Sequence, residues 1–163
     1  MFEETASKNI LMQSLYPYFK SDEKMALLVG DMGFAVLDDY FNHHAERVFN
    51  IGIAEQAMVS MAAGMGLAGL KPIIYTQIPF LTMRAFEQIR YDICEHKLNV
   101  KMIGIGAENY FNVLGRSHCV DEDDVKIMSI FKSLLILLPT AATIQDDLKK
   151  CFEYDGPVYI RCK

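Results

Sequence analysis

The chain has 163 residues, 52% of them hydrophobic, and its 16 Lys and Arg against 21 Asp and Glu give a net charge of −5. This length is typical of one domain, and we expect residues 1–163 to form a single one. The composition excludes general disorder, and the lack of a basic cluster argues against nucleic acid as a partner. The longest strongly apolar stretches, at 57–70 and 134–138, are shorter than the ~20 residues that cross a bilayer, so no membrane partner is expected.

The start of the chain and its cysteines indicate the compartment. Met-Phe-Glu-Glu lacks the basic region and apolar core of a secretory leader. The four cysteines have no CxxC spacing, which argues against a zinc knuckle or a redox motif, and free thiols suit a reducing compartment. We therefore expect a cytoplasmic protein.

Helical and strand-like patterns alternate along the chain. Apolar residues at helical spacing predict a first helix over 5–19, with Pro17 marking its end. Further helices are predicted at about 53–67, 82–96, 121–131 and 143–152, and strands at 25–29, 48–51, 71–78, 100–105, 134–138 and 158–161. This alternation predicts a three-layer α/β/α sandwich with a mostly parallel sheet.

Ligands of such sheets bind where the strands end, so the loops after Val29, Ile51, Ile78 and Ile105 are the places to inspect. The segment 107–117 is the longest without periodicity, and a loop of this length is usually functional or mobile. His118 follows it directly. From its position alone, His118 is either a site residue or an ordinary loop histidine.

The predicted helix at 53–67 carries two patterns with competing interpretations. Residues 64–69 spell GxGxxG, but a dinucleotide fingerprint lies between a strand and the start of a helix, whereas these glycines close a helix. We therefore predict a helix end at these glycines. Met58, Met61 and Met65 recur on one side of the helix, which favours a core or interface stripe.

Acidic residues are clustered at Asp38-Asp39 and at 121–124, where they could in principle hold a divalent cation. Acidic residues just before an apolar run more often cap a helix and interact with its dipole. We expect caps at both places and no metal site in this chain.

Glu55 is the most unusual residue, since it is one carboxyl near the start of an apolar, small-residue helix that should be largely buried. A glutamate in a first turn can simply interact with the helix dipole. Burial would also favour its protonated form, as a proton-sharing catalytic carboxyl requires. The residues alone leave both interpretations open.

The segment 47–56, RVFNIGIAEQ, closely resembles the central motif of the pyrimidine-binding domain of transketolase-like enzymes. Further segments resemble other parts of that domain, and with 47–56 they cover nearly the whole chain: 30–34, 79–90, 98–106, 117–118 with 123–128, and 156–161. The resemblance implies the thiamine diphosphate-binding fold of the pyrimidine-domain type.

The resemblance also implies a thiamine diphosphate enzyme with Glu55 at its catalytic centre. Glu55 would hydrogen-bond N1′ of the aminopyrimidine, which favours the imino tautomer that takes the proton from thiazolium C2. Phe80 would stack on the pyrimidine, or Leu81 would, because the spacing from Phe80 to Arg84 is one residue longer than in some members. By the same resemblance, Ile53 and Arg84 also belong to the cofactor site.

His118 matches a catalytic histidine that faces the substrate and the reactive carbon. In the loop before it, residues 108–113 replace much of a glycine-rich segment, and Arg116 stands where a proline is common. The substrate is therefore not predicted by the resemblance.

Members of this family bind the diphosphate and its Mg²⁺ through a Gly-Asp-Gly…Asn motif of a separate domain, which this sequence lacks. We therefore expect a diphosphate-binding partner subunit that holds Mg²⁺ and forms a heterotetramer with this chain, and transfer of a two-carbon ketol unit between sugar substrates. The alternatives are a 2-oxo acid decarboxylase, a 1-deoxyxylulose-5-phosphate synthase-like condensing subunit, or a non-catalytic scaffold.

Overall fold

The computed structural model describes residues 4–163, and its centre is a six-stranded sheet. The strands are β1 (Met25–Val29), β2 (Val48–Asn50), β3 (Lys71–Gln77), β4 (Lys101–Ile105), β5 (Leu135–Leu137) and β6 (Val158–Cys162). All neighbouring strands run parallel, in the order β2-β1-β3-β4-β6-β5. With helices on both faces of this sheet, the predicted α/β/α sandwich is confirmed.

Six α-helices flank the sheet or its loops: α1 (Lys8–Ser21), α2 (Asp38–His43), α3 (Glu55–Leu67), α4 (Phe86–Gln88), α5 (Asp123–Met128) and α6 (Ile144–Glu153). The short α4 belongs to a longer helical segment, 80–94, whose other parts, Phe80–Arg84 and Ile89–Cys94, are wide π-helical turns. Within residues 4–163, no helix is both long and apolar enough to cross a membrane.

The strands are apolar on both faces because both faces are covered. Leu27 and Val29 of β1 pack in the core formed with α1, α2 and α6, while Leu28 between them packs in the core formed with α3 and the segment 80–94. Successive side chains of a strand point to opposite faces, so a sheet between two helical layers needs uninterrupted apolar strands.

The strand order places a topological switch at the carboxyl edge of the sheet. The chain leaves β1 toward β2 on one side, returns through α3 to β3 on the other side of β1, and then continues to β4. Loops diverge at such a point and open a crevice for ligands. Glu55 begins α3 and Phe80 follows β3, so both lie at this edge.

Two local predictions were wrong. Pro17 does not end the first helix, which runs to Ser21 and stops where Asp22 becomes extended. Proline removes one backbone donor from a helix, and the packing of Leu15 and Phe19 on both sides of it outweighs that loss. The helix predicted at 121–131 covers only Asp123–Met128, because a turn closed by the Phe131 amide on the Met128 carbonyl follows it.

The irregular segment before His118 contains no long element. It forms three short 3₁₀ turns, Ala107–Asn109, Asn112–Leu114 and Arg116–His118. The glycines at 64–69 end α3 as predicted, with Gly69 at φ +86° directly after the helix, a conformation that favours glycine.

Candidate active site

The turn between β2 and α3 positions Glu55. The Asn50 side chain accepts hydrogen bonds from the amides of Asp31 (3.1 Å) and Gly52 (3.0 Å) and donates one to the Asp31 carboxylate (3.0 Å), which ties the loop after β1 to this turn. Gly52 adopts φ +77°, a conformation that residues with a Cβ rarely adopt. The turn therefore brings the first residue of α3 to the switch point of the sheet.

Glu55 is a buried carboxylate with one charged partner. The residue is 1% exposed, and its Oε2 accepts a hydrogen bond from Nη1 of Arg84 at 2.8 Å. The Arg84 side chain is 41% exposed, so water screens one half of the pair. Among residues 4–163, no group donates to Oε1, which leaves this oxygen available to a ligand.

Arg84 also contacts Phe80, and Phe80 contacts His118. The Arg84 guanidinium carbon lies 4.2 Å from the centre of the Phe80 ring, and the His118 ring lies edge-on to Phe80 with the centres 5.0 Å apart. Four residues predicted for the site therefore form a continuous row, Glu55–Arg84–Phe80–His118. The first comes from α3, the next two from the segment 80–94, and the last from the turn before α5.

The other two predicted residues lie differently. Leu81 is fully buried and packs in the core beneath α3, so it does not join the row. Ile53 lies in the turn before α3 and is 73% exposed. Of Phe80 and Leu81, only Phe80 presents its side chain at the edge of the sheet, where it is half-buried.

The acidic run at 121–124 does not cap α5 as expected. Asp123 and Asp124 lie in the first turn, but no side chain of the run makes a capping hydrogen bond. Asp124 is fully buried, and its carboxylate binds Tyr159 and Arg161 of β6. Within residues 4–163, no group of three or more His, Cys, Asp or Glu is arranged to hold a metal ion.

The sequence arguments missed the buried arginine at the same edge. Arg161 is 2% exposed although it carries a charge, and it pairs with Asp124 and Glu108. A charged residue inside an otherwise apolar strand was the available signal, because such a residue must find a counter-charge within the fold.

Comparison with known proteins gives a consistent family. The model of the transketolase pyrimidine-binding domain matches residues 4–163. One of the two subunits of the apulose-4-phosphate transketolase of Actinobacillus succinogenes is 30% identical over 155 residues, which are 94% of this chain and 50% of that protein. The 1-deoxy-D-xylulose-5-phosphate synthase of Listeria welshimeri is 30% identical over 156 residues, 94% of this chain and 24% of that protein.

A solved structure agrees with the sequence comparisons. A split-gene transketolase, described as an inactive β4 tetramer, superposes with a TM-score of 0.82 at 34% identity over 98% of this chain and 51% of that one. The chain thus spans about half the length of the split transketolase chains that it matches.

Proposed function

This chain belongs to the transketolase pyrimidine-binding domain family, and we propose that it is the pyrimidine-binding subunit of a split, thiamine diphosphate-dependent transketolase-like enzyme. With a diphosphate-binding partner it transfers a two-carbon ketol unit between sugar substrates. The observation that carries this proposal is the buried Glu55 carboxylate beside the accessible Phe80 ring at the switch point of the sheet.

The space between Glu55 and Phe80 suits an aminopyrimidine ring. Arg84 places a planar group there that donates an N–H to the Glu55 carboxylate and lies against the face of Phe80. An aminopyrimidine is likewise planar and presents N–H groups at its edge. The arrangement of carboxylate and ring therefore fits the cofactor that the family implies.

Each residue of the row has a chemical task. Bound thiamine diphosphate supplies the nucleophilic carbon that accepts the two-carbon unit. Glu55, shielded from water, holds a proton at the edge of the pyrimidine ring, and Phe80 orients that ring by stacking. His118, half-buried on the other side of Phe80, hydrogen-bonds a substrate oxygen.

The outer face of α3 supports a partner subunit. The prediction that α3 is largely buried is right for only one side: Met58 and Ala62 lie in the core, whereas Met61 is 45% and Leu67 68% exposed. Exposed apolar side chains on a helix with small residues mark an interaction surface that another chain can approach closely. We assign this face to the subunit that holds the diphosphate and Mg²⁺, in a heterotetramer with two copies of each chain.

The solved relative supports the need for a partner, since that β4 tetramer is described as inactive. Titration calorimetry of the purified chain with thiamine diphosphate and Mg²⁺ tests the same point. We expect at most weak binding, because the residues of the row contact only the pyrimidine end of the cofactor. Sub-micromolar affinity without a partner would contradict the split-enzyme proposal.

The catalytic assignment is tested by Glu55→Gln in the assembled enzyme. We expect exchange of the C2 proton of the cofactor to slow by at least ~10²-fold, the scale of a proton-transfer group. The fold should survive, because Arg84 is largely exposed and returns to water. Glu46→Gln, at an exposed glutamate paired with Arg47, is the matched control and should exchange at the wild-type rate. An undiminished rate in Glu55→Gln would refute the assignment.

A 1-deoxyxylulose-5-phosphate synthase-like condensation is the second candidate, and one observation favours it. The chain is as similar to that synthase, at 30% identity, as to the transketolase subunit. The two reactions, and a 2-oxo acid decarboxylation, differ in whether the donor loses CO₂. Release of CO₂ from a 2-oxo acid donor by the assembled enzyme would favour the condensation or decarboxylation over ketol transfer.

A further inference from the structure

A buried arginine lies next to the candidate site and has no part in the row. Arg161, in β6, is 2% exposed, with Nε 3.1 Å from Oδ2 of Asp124 and Nη1 2.9 Å from Oε1 of Glu108. Asp124 is fully buried and also accepts a hydrogen bond from the Tyr159 hydroxyl at 2.6 Å. Removing a guanidinium from water is costly, so these contacts must hold it closely.

The two carboxylates that bind Arg161 stand at opposite ends of one loop. We use the name His118 loop for residues 107–122, which connect β4 to α5. Glu108 is the second residue of this loop, and Asp124 is the second residue of α5 directly after it. One guanidinium therefore fixes both ends of the segment that carries the histidine.

The beginning of the His118 loop needs such an anchor. Glu108 and Asn109 adopt φ +52° and +55°, in the left-handed region that is unfavourable for residues with a side chain. The Thr5 hydroxyl adds a hydrogen bond to Glu108 at 3.1 Å. These contacts hold the backbone in a conformation that it would otherwise leave.

A second set of contacts carries this order toward the histidine. The Asp121 carboxylate accepts a hydrogen bond from Asn109, next to Glu108, at 2.6 Å and one from Arg116 at 2.5 Å. Arg116 lies two residues before His118, in the same 3₁₀ turn. The start of the loop is thus connected to the turn that presents the His118 ring to Phe80.

We propose that Arg161, Glu108 and Asp124 form a clamp whose task is to position His118 for substrate. Its members are positioning residues, since none of them contacts the row itself. The proposal rests on the function proposed above for His118 but concerns the loop, so the two can fail separately. A displacement of about 1 Å at a catalytic group can cost up to ~10²-fold in rate, which is why such a clamp matters.

Glu108→Ala in the full protein with its partner is the main test, because Glu108 is partly exposed and its loss leaves Arg161 paired with Asp124. We expect kcat/KM for the sugar substrate to fall roughly 10- to 100-fold, with cofactor affinity unchanged. Amide hydrogen exchange should accelerate in the His118 loop and not in α3. Glu108→Gln keeps the shape and the hydrogen-bonding oxygen without the charge, and should restore part of both losses.

Glu153→Ala, which removes an exposed carboxylate paired with Lys149, is the control and should change neither measurement. Faster exchange in the His118 loop without a kinetic loss would overturn the proposal, as would a kinetic loss without faster exchange, or no change in either. If the wild-type assembly transfers no ketol unit, the proposed function fails, and the clamp is then supported by faster exchange in the loop or overturned by its absence.

Discussion

Asp124→Ala is expected to be among the most destabilising single substitutions at the carboxyl edge of the sheet. The fully buried carboxylate binds the Tyr159 hydroxyl and the Arg161 guanidinium, both of which are also buried. Its removal leaves Arg161 with Glu108 as its one remaining carboxylate partner among residues 4–163.

The size of the effect follows from the burial of the partners. Breaking a buried ion pair by removing one member costs about 3–5 kcal/mol of the free energy of unfolding. For a domain of this size each kcal/mol lowers Tm by about 2–4 °C, so Asp124→Ala should melt roughly 6–20 °C below the wild type. A typical domain, stable by about 5–15 kcal/mol, would remain folded at room temperature.

The neighbouring residue offers a matched control. Asp123 lies in the same helical turn, but its side chain is 59% exposed and its partner Lys126 is 3.5 Å away at the surface. Asp123→Ala should cost less than about 1 kcal/mol, the range of a surface ion pair and a helix-dipole contact. Urea unfolding followed by circular dichroism measures both variants, and equal losses would refute the argument from burial.

Three further outcomes are expected. His118→Ala in the assembled enzyme should lower kcat or raise the KM for the sugar with cofactor affinity nearly unchanged, and calorimetry showing an equal loss of cofactor binding would remove His118 from the substrate role. Burial lowers the pKa of Lys101 to about 8, so the folded state binds fewer protons than the unfolded state above that pH, and the stability of the wild type relative to Lys101→Met should rise between about pH 8 and 10, by at most ~1.4 kcal/mol per pH unit. Urea midpoints at pH 7.5 and 9.5 that differ equally in both proteins would contradict this. Burial raises the pKa of the Cys162 thiol to about 12, and that of the other two buried thiols as well, so a thiol reagent should label mainly Cys119 in the native protein, and Cys119→Ser should abolish the fast phase.

Local patterns were sufficient for most of the fold. The apolar run at 25–29 coincides with β1, and the other strands lie within one or two residues of their predicted ends, because strands buried on both faces stand out from their surroundings. The six-residue α2 was not predicted, since a single turn and a half carries too little periodicity to recognise. Pro17 misled the prediction because the packing of α1 depends on the rest of the fold.

The site was predictable as a set of residues but not as a geometry. A carboxyl in an apolar helix identified Glu55 as unusual, and the family motif named the others. The pairing of Glu55 with Arg84, 29 positions away, depends on how α3 and the segment 80–94 lie against each other. The contact of Arg161 with Glu108 spans 53 positions and joins two strand ends. Such long-range pairs follow from topology, which no local pattern contains.

The wide π-helical turn at Phe80–Arg84 has a consequence for how this family tolerates changes in chain length. A π turn holds one more residue than an α-helical turn, and such turns commonly mark functional segments of helices. The extra residue between Phe80 and Arg84 is therefore taken up within that turn, while Ile89 and Ile93 keep their places in the core. Deleting Thr82 would convert the turn toward a regular helix and rotate Phe80 by about 100° relative to Arg84, which would bring Leu81 toward the row in its place. An insertion absorbed in this way lets an ancestral site exchange its stacking side chain without disturbing the sheet beneath it.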